Sequence, residues 1–320
     1  MPHQSHMYRA LMVPLDGSTF SRHAIPWALA LAQPAGAVVH LVHVVRPDGI
    51  ETPNAVLLDA DVARDHRIAR QESISDLANR LSIGTGVSFV AAVEAGDPVD
   101  ALTEYATSNA IDLVVMSTHG RGGFARALLG SVSDGLIRRG LLPVLLIRPH
   151  EHDPEEHEPA AVSDVLVPLD DSPEGEQIVN HAIEISALTG AACVLLHVEL
   201  LVPVSTVAGF GDIPSPTTVL HAQSDTEVSH ARVADRLASI ADRFQSRSVP
   251  VSTAVVQDTD AASGILKYCR SHPVSLVVMT THGRQLLDRA LLGSTSTTLI
   301  RQTALPVLVL RRDAPPQTGA

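Results

Sequence analysis

The chain alternates short aliphatic runs with segments of helical periodicity, and its first half shows the pattern most plainly. Residues 9–15 (RALMVPL) form a β-branched and aliphatic run, and residues 19–33 then carry apolar side chains at helical spacing. Further predicted elements are a strand at 37–45, a helix at about 58–81, a strand at 87–94, a helix at 98–109, a strand at 112–118, a helix at 131–140 and a strand at 143–148. Continuous apolar strands separated by helices predict a parallel sheet covered by helices on both faces.

The second half of the chain repeats the first. The segment THGRGGFARALLGS at 118–131 returns as THGRQLLDRALLGS at 281–294, with ten of fourteen positions identical. Asp16 corresponds to Asp170 at an offset of 154 residues, and the offset grows to 163 at the repeated loop. Nine residues are therefore inserted between the second strand and the loop of the second copy. The chain is predicted to be a tandem duplication of one domain.

An acidic segment separates the two copies. Residues 150–162 (HEHDPEEHEPAAV) contain five acidic residues and three histidines but no lysine or arginine, a composition typical of a solvated linker. We predict a first domain at 1–149, this linker, and a second domain at 163–320. Each domain is predicted to be α/β, with a doubly wound, Rossmann-like sheet of five parallel strands. A flexible run of this kind binds metal only adventitiously, so no metal site is predicted.

Composition excludes several classes of function. A net charge of −12, from 23 basic and 35 acidic residues, argues against a nucleic-acid partner. The chain's single lysine, Lys267, does not fit the GK[ST] core of a P-loop. No apolar run is long enough to cross a membrane, and the first ten residues lack an export signal, so we expect a soluble, cytoplasmic protein. Cys193 and Cys269 are expected to be reduced thiols and not nucleophiles.

The repeated loop leaves the predicted fourth strand and ends at the start of a helix. It closes with Gly130 and Ser131 in the first copy and with Gly293 and Ser294 in the second. Free backbone amides at a positive helix end, together with a hydroxyl, form an anion site, and glycines let the main chain approach a phosphate. The structural alternative is that each Gly-Ser pair is only a helix cap.

An aspartate ends the first predicted strand of each copy, on the other side of the crevice where strand order reverses. Asp16 and Asp170 could accept hydrogen bonds from a nucleoside there, as acidic residues do at ribose in related sheets. The alternative, that Asp16 merely caps the helix following the sequence DGST, stays open at this stage.

The segments VPLDGS, HLVHVV and VVMSTHGRGGFARALLGSVSDGLIRRGLLPVLLIR resemble the universal stress protein family, and both halves resemble it over nearly their whole length. The resemblance implies an adenine nucleotide alpha hydrolase-like fold. The nucleotide-binding branch of the family carries a glycine, two residues, a second glycine, nine residues and then Gly-Ser or Gly-Thr. The second glycine is Gly120 or Gly283 in this sequence, whereas Ser117 and Thr280 occupy the place of the first glycine.

The resemblance also implies a ligand and its contacts. The ligand is ATP, or ADP or AMP, with Mg²⁺ as an accompanying ion. The resemblance places adenine against the backbone of Val44 and Val198. Met116 and Met279 would pack closely at the site, and the phosphates would contact Val132 and Thr295. The predicted nucleotide-binding residues are Asp16, Val44, Met116, Ser117, Gly120, Arg121, Gly130, Ser131, Val132, Asp170, Val198, Met279, Thr280, Gly283, Arg284, Gly293, Ser294 and Thr295.

No residue is predicted to be catalytic. His119 and His282 lie inside the loops without a nearby carboxylate partner in the sequence, so a structural role is expected. His43 and His197 lie on buried strands and are expected to be satisfied core histidines. The arginine after the second loop glycine either reaches a phosphate or points to solvent in each copy.

Three classes of function remain. The favoured one is an adenine-nucleotide-binding stress or regulatory protein that acts through an unknown protein partner. The second is the same fold without nucleotide, acting as an interaction module or binding another small ligand, and Ser117 and Thr280 keep this class open. The third is a slow ATPase or autophosphorylating protein, against which the lack of a paired general base or a carboxylate cluster counts.

Two expectations concern the relation between the copies. The fifth strands, 143–148 and 306–311, are expected to pair within the chain as an intramolecular pseudo-dimer, because a bare edge strand templates aggregation. The first site is expected to bind ATP more tightly than the second. The reason is that residues 285–288 (QLLD) replace residues 122–125 (GGFA), which removes two glycines and adds a carboxylate.

Overall fold

The chain divides into two compact units. The computed structural model describes residues 6–46, 60–118, 129–150, 154, 156–170, 177–201, 216–281 and 293–311. Unit 1 comprises Met1–Val162 together with Ala304–Ala320, and unit 2 comprises Ser163–Thr303. The end of the chain is therefore part of unit 1, although it follows unit 2 in the sequence.

Unit 1 is built on a parallel sheet whose strand order reverses at its centre. Its first five strands are β1 (Ala10–Pro14), β2 (Val38–Val45), β3 (Phe89–Ala95), β4 (Leu113–Ser117) and β5 (Val144–Ile147). They lie in the order β3-β2-β1-β4-β5, and each neighbouring pair is parallel. The central strand β1 is fully buried at Leu11, Met12 and Val13. The predicted doubly wound α/β architecture is confirmed, with its switch point between β1 and β4.

Five helices connect the strands of unit 1 in the described ranges. They are α1 (Thr19–Arg22), α2 (Ile25–Ala35), α3 (Ala60–Thr85), α4 (Pro98–Ser108) and α5 (Ser131–Arg139). Asp97 shows why α4 begins where it does: its carboxylate accepts the Val99 amide at 2.9 Å, and Pro98 occupies the first turn. At the edge of the sheet, Arg67 and Gln71 of α3 donate to carbonyls of β3, which covers that strand's outward backbone.

Unit 2 repeats this plan. Its strands are β6 (Asp164–Pro168), β7 (Ala192–Leu200), β8 (Val251–Asp258) and β9 (Val274–Thr280), in the order β8-β7-β6-β9 and all parallel. Its helices are α6 (Gln177–Thr189), α7 (Pro216–Asp242), α8 (Ala261–Ser271) and α9 (Ser294–Gln302). The order reverses between β6 and β9, as it does between β1 and β4.

The last strand of the second repeat, β10 (Val307–Leu310), lies in unit 1. It pairs with β5 in antiparallel orientation, with Leu308 opposite Leu145. The expected pairing of segments 143–148 and 306–311 is therefore present. The pairing covers an edge of β5 that would otherwise expose unpaired backbone groups.

The described part of the linker is anchored to unit 1 and is not a freely solvated tether. Nε2 of His23 lies 3.2 Å from Nδ1 of His150, and Arg22 forms an ion pair with Glu156 at 3.1 Å. The amide of Ala160 donates to the carbonyl of Pro26 at 2.9 Å. Composition predicts solvent exposure for such a segment, but it does not reveal these contacts with α1 and α2.

Candidate functional site

The topology of unit 1 brings two of the predicted site segments to the same edge of the sheet. Asp16 follows β1, and Ser117 ends the neighbouring strand β4. The amide of Gly130 donates to the carbonyl of Thr118 at 3.0 Å, so the start of α5 is bonded to the end of β4. Parallel strands place their carboxyl ends at one edge, and ligands bind such sheets where the order reverses. The aspartate and the helix start therefore flank the switch point.

The structure separates the two interpretations of Asp16. Its Oδ1 accepts the Ser18 amide at 2.9 Å and the Ser18 hydroxyl at 2.6 Å. Ser18, not Asp16, is the N-cap of α1, because its Oγ accepts the Ser21 amide at 3.3 Å. Asp16 therefore holds the turn between β1 and α1 and does not cap the helix itself.

Each aspartate is preceded by a carbonyl that a histidine of the next strand binds. Nδ1 of His43 lies 2.7 Å from the carbonyl oxygen of Leu15, and Nδ1 of His197 lies 2.9 Å from that of Leu169. Because a carbonyl only accepts, this nitrogen carries the proton in both rings. His43 is buried, as expected of a core histidine, whereas His197 is half-buried. Both also fix the chain immediately before Asp16 or Asp170, a positioning role that the sequence interpretation missed, although the shared offset of 154 residues could have indicated it.

The backbones of Val44 and Val198 are directed towards the crevice. The Leu15 amide donates to the carbonyl of Val42 at 2.8 Å, so Val42 presents its backbone groups to β1. Alternate residues of a strand present these groups to the same side, and Val44 therefore directs its amide and carbonyl past the last paired residue of β1. In unit 2 the Leu169 amide donates to the carbonyl of Leu196 at 2.8 Å. By the same alternation, Val198 directs its amide and carbonyl past the end of β6.

Both helices at the predicted anion sites begin at a glycine with extended backbone. Gly130 has φ −60° and ψ 150°, and Gly293 has φ −59° and ψ 158°. The amide of Gly293 donates to the carbonyl of Thr281 at 2.7 Å, which repeats the bond made by Gly130. Neither helix has a side-chain cap. The first-turn amides, which have no carbonyl partner within the helix, are donors that an anion can use.

A buried serine stabilises each helix start, and sequence reasoning missed both. The hydroxyl of Ser133 donates to the carbonyl of Gly130 at 3.0 Å, and that of Ser296 donates to the carbonyl of Thr280 at 3.1 Å. Both serines are almost fully buried. A serine two residues after each Gly-Ser pair was the available signal.

The residues that end β4 and β9 are buried or half-buried. Met116 and Met279 are buried, at 6% and 5% exposed, which is compatible with their predicted packing role. Ser117 is buried, whereas Thr280 is half-buried. The substitutes for the first family glycine are therefore not solvent-exposed side chains.

Part of the predicted site falls outside the described residues. Gly120, Arg121, Gly283 and Arg284 lie there, as do the two loop histidines. Their contribution to the site stays a prediction. Among the described predicted site residues, Ser131 and Ser294 are exposed, and Val132 and Thr295 are half-buried in the first turn of their helices.

The two helix starts differ in charge. The first turn of α5 contains Asp134, whose Oδ2 lies 2.6 Å from Nε of Arg138. The first turn of α9 contains no acidic residue and instead reads Ser-Thr-Ser-Thr. A carboxylate near a helix start disfavours a bound anion, although its pairing with Arg138 reduces that effect.

The two cysteines of the described ranges are poor candidates for nucleophiles. Burial raises the pKa of Cys193 to about 12, and burial also raises the pKa of Cys269 to about 11. Both are free thiols, as expected. Within the described ranges, no group of three or more His, Cys, Asp or Glu side chains is placed to hold a metal ion, and no helix is both long and apolar enough to span a membrane.

Three comparisons relate this chain to known proteins. The universal stress protein family matches residues 7–148 and again residues 162–311. Universal stress protein Rv2005c of Mycobacterium tuberculosis H37Rv is 30% identical over 322 aligned residues, covering 97% of this chain and 99% of that protein. A solved universal stress protein from Archaeoglobus fulgidus DSM 4304 has a TM-score of 0.64 at 21% identity and covers 97% of this chain and 99% of its own. A shorter universal stress protein, solved in complex with cAMP, is 26% identical over 44% of this chain and 97% of its own, with a TM-score of 0.33.

Proposed function

This chain belongs to the universal stress protein family, and on that premise we propose that each of its two units binds an adenine nucleotide, with ATP as the principal ligand. The observation that carries the proposal is the repeated pairing of a histidine-tethered aspartate with an uncapped helix start. Leu15 is held by His43 in unit 1, and Leu169 is held by His197 in unit 2. Both features, the histidine bond before the aspartate and the helix start without a side-chain cap, occur together in each unit.

Each part of the nucleotide would meet a group suited to it. Adenine would bind the backbone of Val44 or Val198. The amide would donate to an acceptor on the base edge, and the carbonyl would accept from a donor there. Ribose hydroxyls would donate to Asp16 or Asp170. The phosphates would accept from the first-turn amides of α5 or α9, where the helix end favours negative charge.

The role we propose for the bound nucleotide is regulatory. To regulate a partner, the nucleotide-bound protein must differ from the nucleotide-free protein in conformation or surface. The protein partner then recognises this difference. Mg²⁺ would accompany ATP and neutralise phosphate charge. The alternative of slow ATP hydrolysis or autophosphorylation requires a group that activates a nucleophile, and none is assigned to this site.

The proposal is tested by calorimetric titration of the full chain with Mg-ATP, ADP, AMP, cAMP and adenosine. We expect ATP to bind at two sites per chain. Asp16→Asn should weaken one site by about tenfold or more, because a hydrogen bond to a charged group contributes roughly 1.5–3 kcal/mol. Asp170→Asn should do the same at the other site.

Ser18→Ala is the matched control for Asp16. It removes the hydroxyl that bonds to the Asp16 carboxylate, but it leaves the carboxylate in place. We expect ATP affinity to change much less than in Asp16→Asn. An equal loss in both variants would show that Asp16 acts only through the turn. If no adenine nucleotide binds the unmodified chain, the protein is better described as an interaction module of the same fold.

The two sites are expected to differ in affinity, with the first about fivefold tighter for ATP. Asp288 adds a like charge to the second loop, and a repulsion on the order of 1 kcal/mol corresponds to that factor. Asp134 in α5 opposes this ranking, but its ion pair with Arg138 weakens its effect. The difference should shrink at high salt.

The comparison uses full-length chains, because Ala304–Ala320 belong to unit 1 and cutting the chain at the linker would remove β10 from that unit. The Asp170→Asn chain reports the first site, and the Asp16→Asn chain reports the second. Adding Asp288→Ala to the latter should strengthen its ATP binding. A second site that is equal or tighter before this change would contradict the ranking.

A further inference from the structure

The helix that begins at the first anion site ends in a turn with several cations. α5 terminates at Arg139, and Gly140 follows with φ +63° in the left-handed region. The Gly140 amide donates to the carbonyl of Leu136 at 3.2 Å. The remaining last-turn carbonyls need partners from outside the helix, and cations are favoured at this end.

Arg311 supplies one of these partners. Its Nη1 donates to the carbonyl of Arg138, and its side-chain stem lies against Gly140. A Cβ added at Gly140 would overlap Cβ, Cγ and Cδ of Arg311, so the glycine is needed for this approach as well as for its φ. The guanidinium and the stem of Arg311 therefore both contact the last turn of α5.

The position of Arg311 is set by β10. Arg311 directly follows this strand, whose Val309 lies opposite Val144 of β5. The strand β5 itself follows α5 after a short connection. The segment that ends the second repeat thus contacts both the strand and the helix of one α5–β5 element in unit 1.

Arg311 differs from the other cations at this helix end. Arg138 forms an ion pair with Asp134, and Arg139 forms one with Asp100. Arg311 instead bonds a main-chain carbonyl, so its charge acts directly on the negative end of the helix.

We propose that Arg311 is a positioning residue for nucleotide binding by unit 1, contributed by the end of the second repeat. It holds the carboxyl end of α5, and thereby fixes the first-turn amides from Ser131 onward that receive the phosphates. A nine-residue helix is about 13 Å long, so Arg311 acts through the helix and does not touch the nucleotide. The inference rests on the proposed nucleotide site. It makes the first site dependent on residues that the sequence assigns to the second copy.

The predicted effect falls on the phosphates. The interaction free energy of a cation with the carboxyl end of a helix corresponds to about a three- to fivefold change in anion affinity. Adenosine lacks phosphates and should not sense the loss. A general loss of folding would instead lower the number of binding sites and would affect ATP and adenosine alike.

The test uses the full-length chain with Asp170→Asn, so that the first site dominates the titration. Arg311→Met keeps an apolar stem over Gly140 and removes the charge, whereas Arg311→Gln keeps a hydrogen-bond donor without charge. We expect ATP affinity to fall about three- to fivefold in both variants with adenosine affinity unchanged. Hydrogen exchange at residues 131–133 should be faster in both. Arg301→Met, at the end of α9, is the matched control and should leave the first site unchanged.

Unchanged ATP affinity in Arg311→Met would overturn the inference, as would an equal loss for ATP and adenosine. Unfolding of unit 1 in both variants would also overturn it, because it would make Arg311 a determinant of stability and not of position. Failure of the parent chain to bind ATP or adenosine would instead reject the proposed nucleotide site itself.

Discussion

Gly130→Val is expected to reduce the ATP affinity of the first site by about a hundredfold or more, because two charge-assisted hydrogen bonds of roughly 1.5–3 kcal/mol each would be lost. A Cβ at Gly130 would lie 3.0 Å from the Thr118 carbonyl oxygen and 3.3 Å from Oγ of Ser133. The backbone dihedrals of Gly130 are accessible to valine, so the obstacle is space and not φ. The larger side chain would push the start of α5 away from β4.

The expected loss of ATP affinity in Gly130→Val does not arise because the new side chain blocks the phosphate. Inspection of the sequence alone predicts that a side chain at Gly130 would keep the phosphate from the main chain. The structure indicates that the added carbon meets the protein's own backbone at Thr118. We therefore expect a decrease in the stability of unit 1 together with the loss of binding. Gly130→Ala should lower the stability of unit 1 and its ATP affinity in the same way, but by less.

Calorimetric titration of the full chain checks this prediction, and the second site in the same molecule is the internal control. It should keep its affinity in Gly130→Val. The mirror variant Gly293→Val should weaken the second site and spare the first. Retention of ATP affinity within threefold in Gly130→Val, with both sites still counted, would show that the start of α5 does not bind the phosphates.

The free energy of unfolding of unit 2 is expected to fall by about 2–3 kcal/mol between pH 7 and pH 4 because of His181 alone, at 1.36 kcal/mol per pKa unit. Burial lowers the pKa of His181 to about 4, and the charge of nearby Glu184 opposes that shift. The unfolded imidazole keeps its ordinary pKa of 6.5. The unfolded state therefore binds a proton between these values that the folded state does not.

The sign and window follow from that difference. The contribution of His181 is fully present above pH 6.5, falls as the pH drops towards 4, and does not change further below it. Burial also lowers the pKa of His40 in unit 1, which adds a dependence of the same sign there. Carboxylates that titrate in this range add their own dependence, so the prediction is tested by difference.

Denaturant unfolding at several pH values, followed by circular dichroism, compares the parent chain with His181→Gln. The variant should lose most of the dependence between pH 6.5 and 4. Glu184→Gln removes the opposing charge and should steepen the dependence. The chain's one tryptophan, Trp27, lies in α2 of unit 1, so its fluorescence gives a separate signal for the unit that lacks His181. An equal slope in the parent and His181→Gln would refute the assignment.

The sequence by itself determined the elements and the equivalence of the candidate site residues in the two copies. Strand and helix periods are local properties, set by backbone stereochemistry and the alternation of apolar side chains, so the order of strands and helices could be predicted. The repeat identified Asp16 with Asp170 and Gly130 with Gly293, because equivalent positions in a duplicated domain are visible without coordinates.

The tertiary structure decided which distant groups meet. No local pattern connects His43 to the carbonyl of Leu15, or Arg311 to the last turn of α5, since these contacts depend on strand order and on residues 28 and 173 positions apart. The membership of β10 in unit 1 is of the same kind. An edge strand accepts any compatible partner edge, so its composition predicts that it must pair, while the arrangement of the folded chain selects the partner.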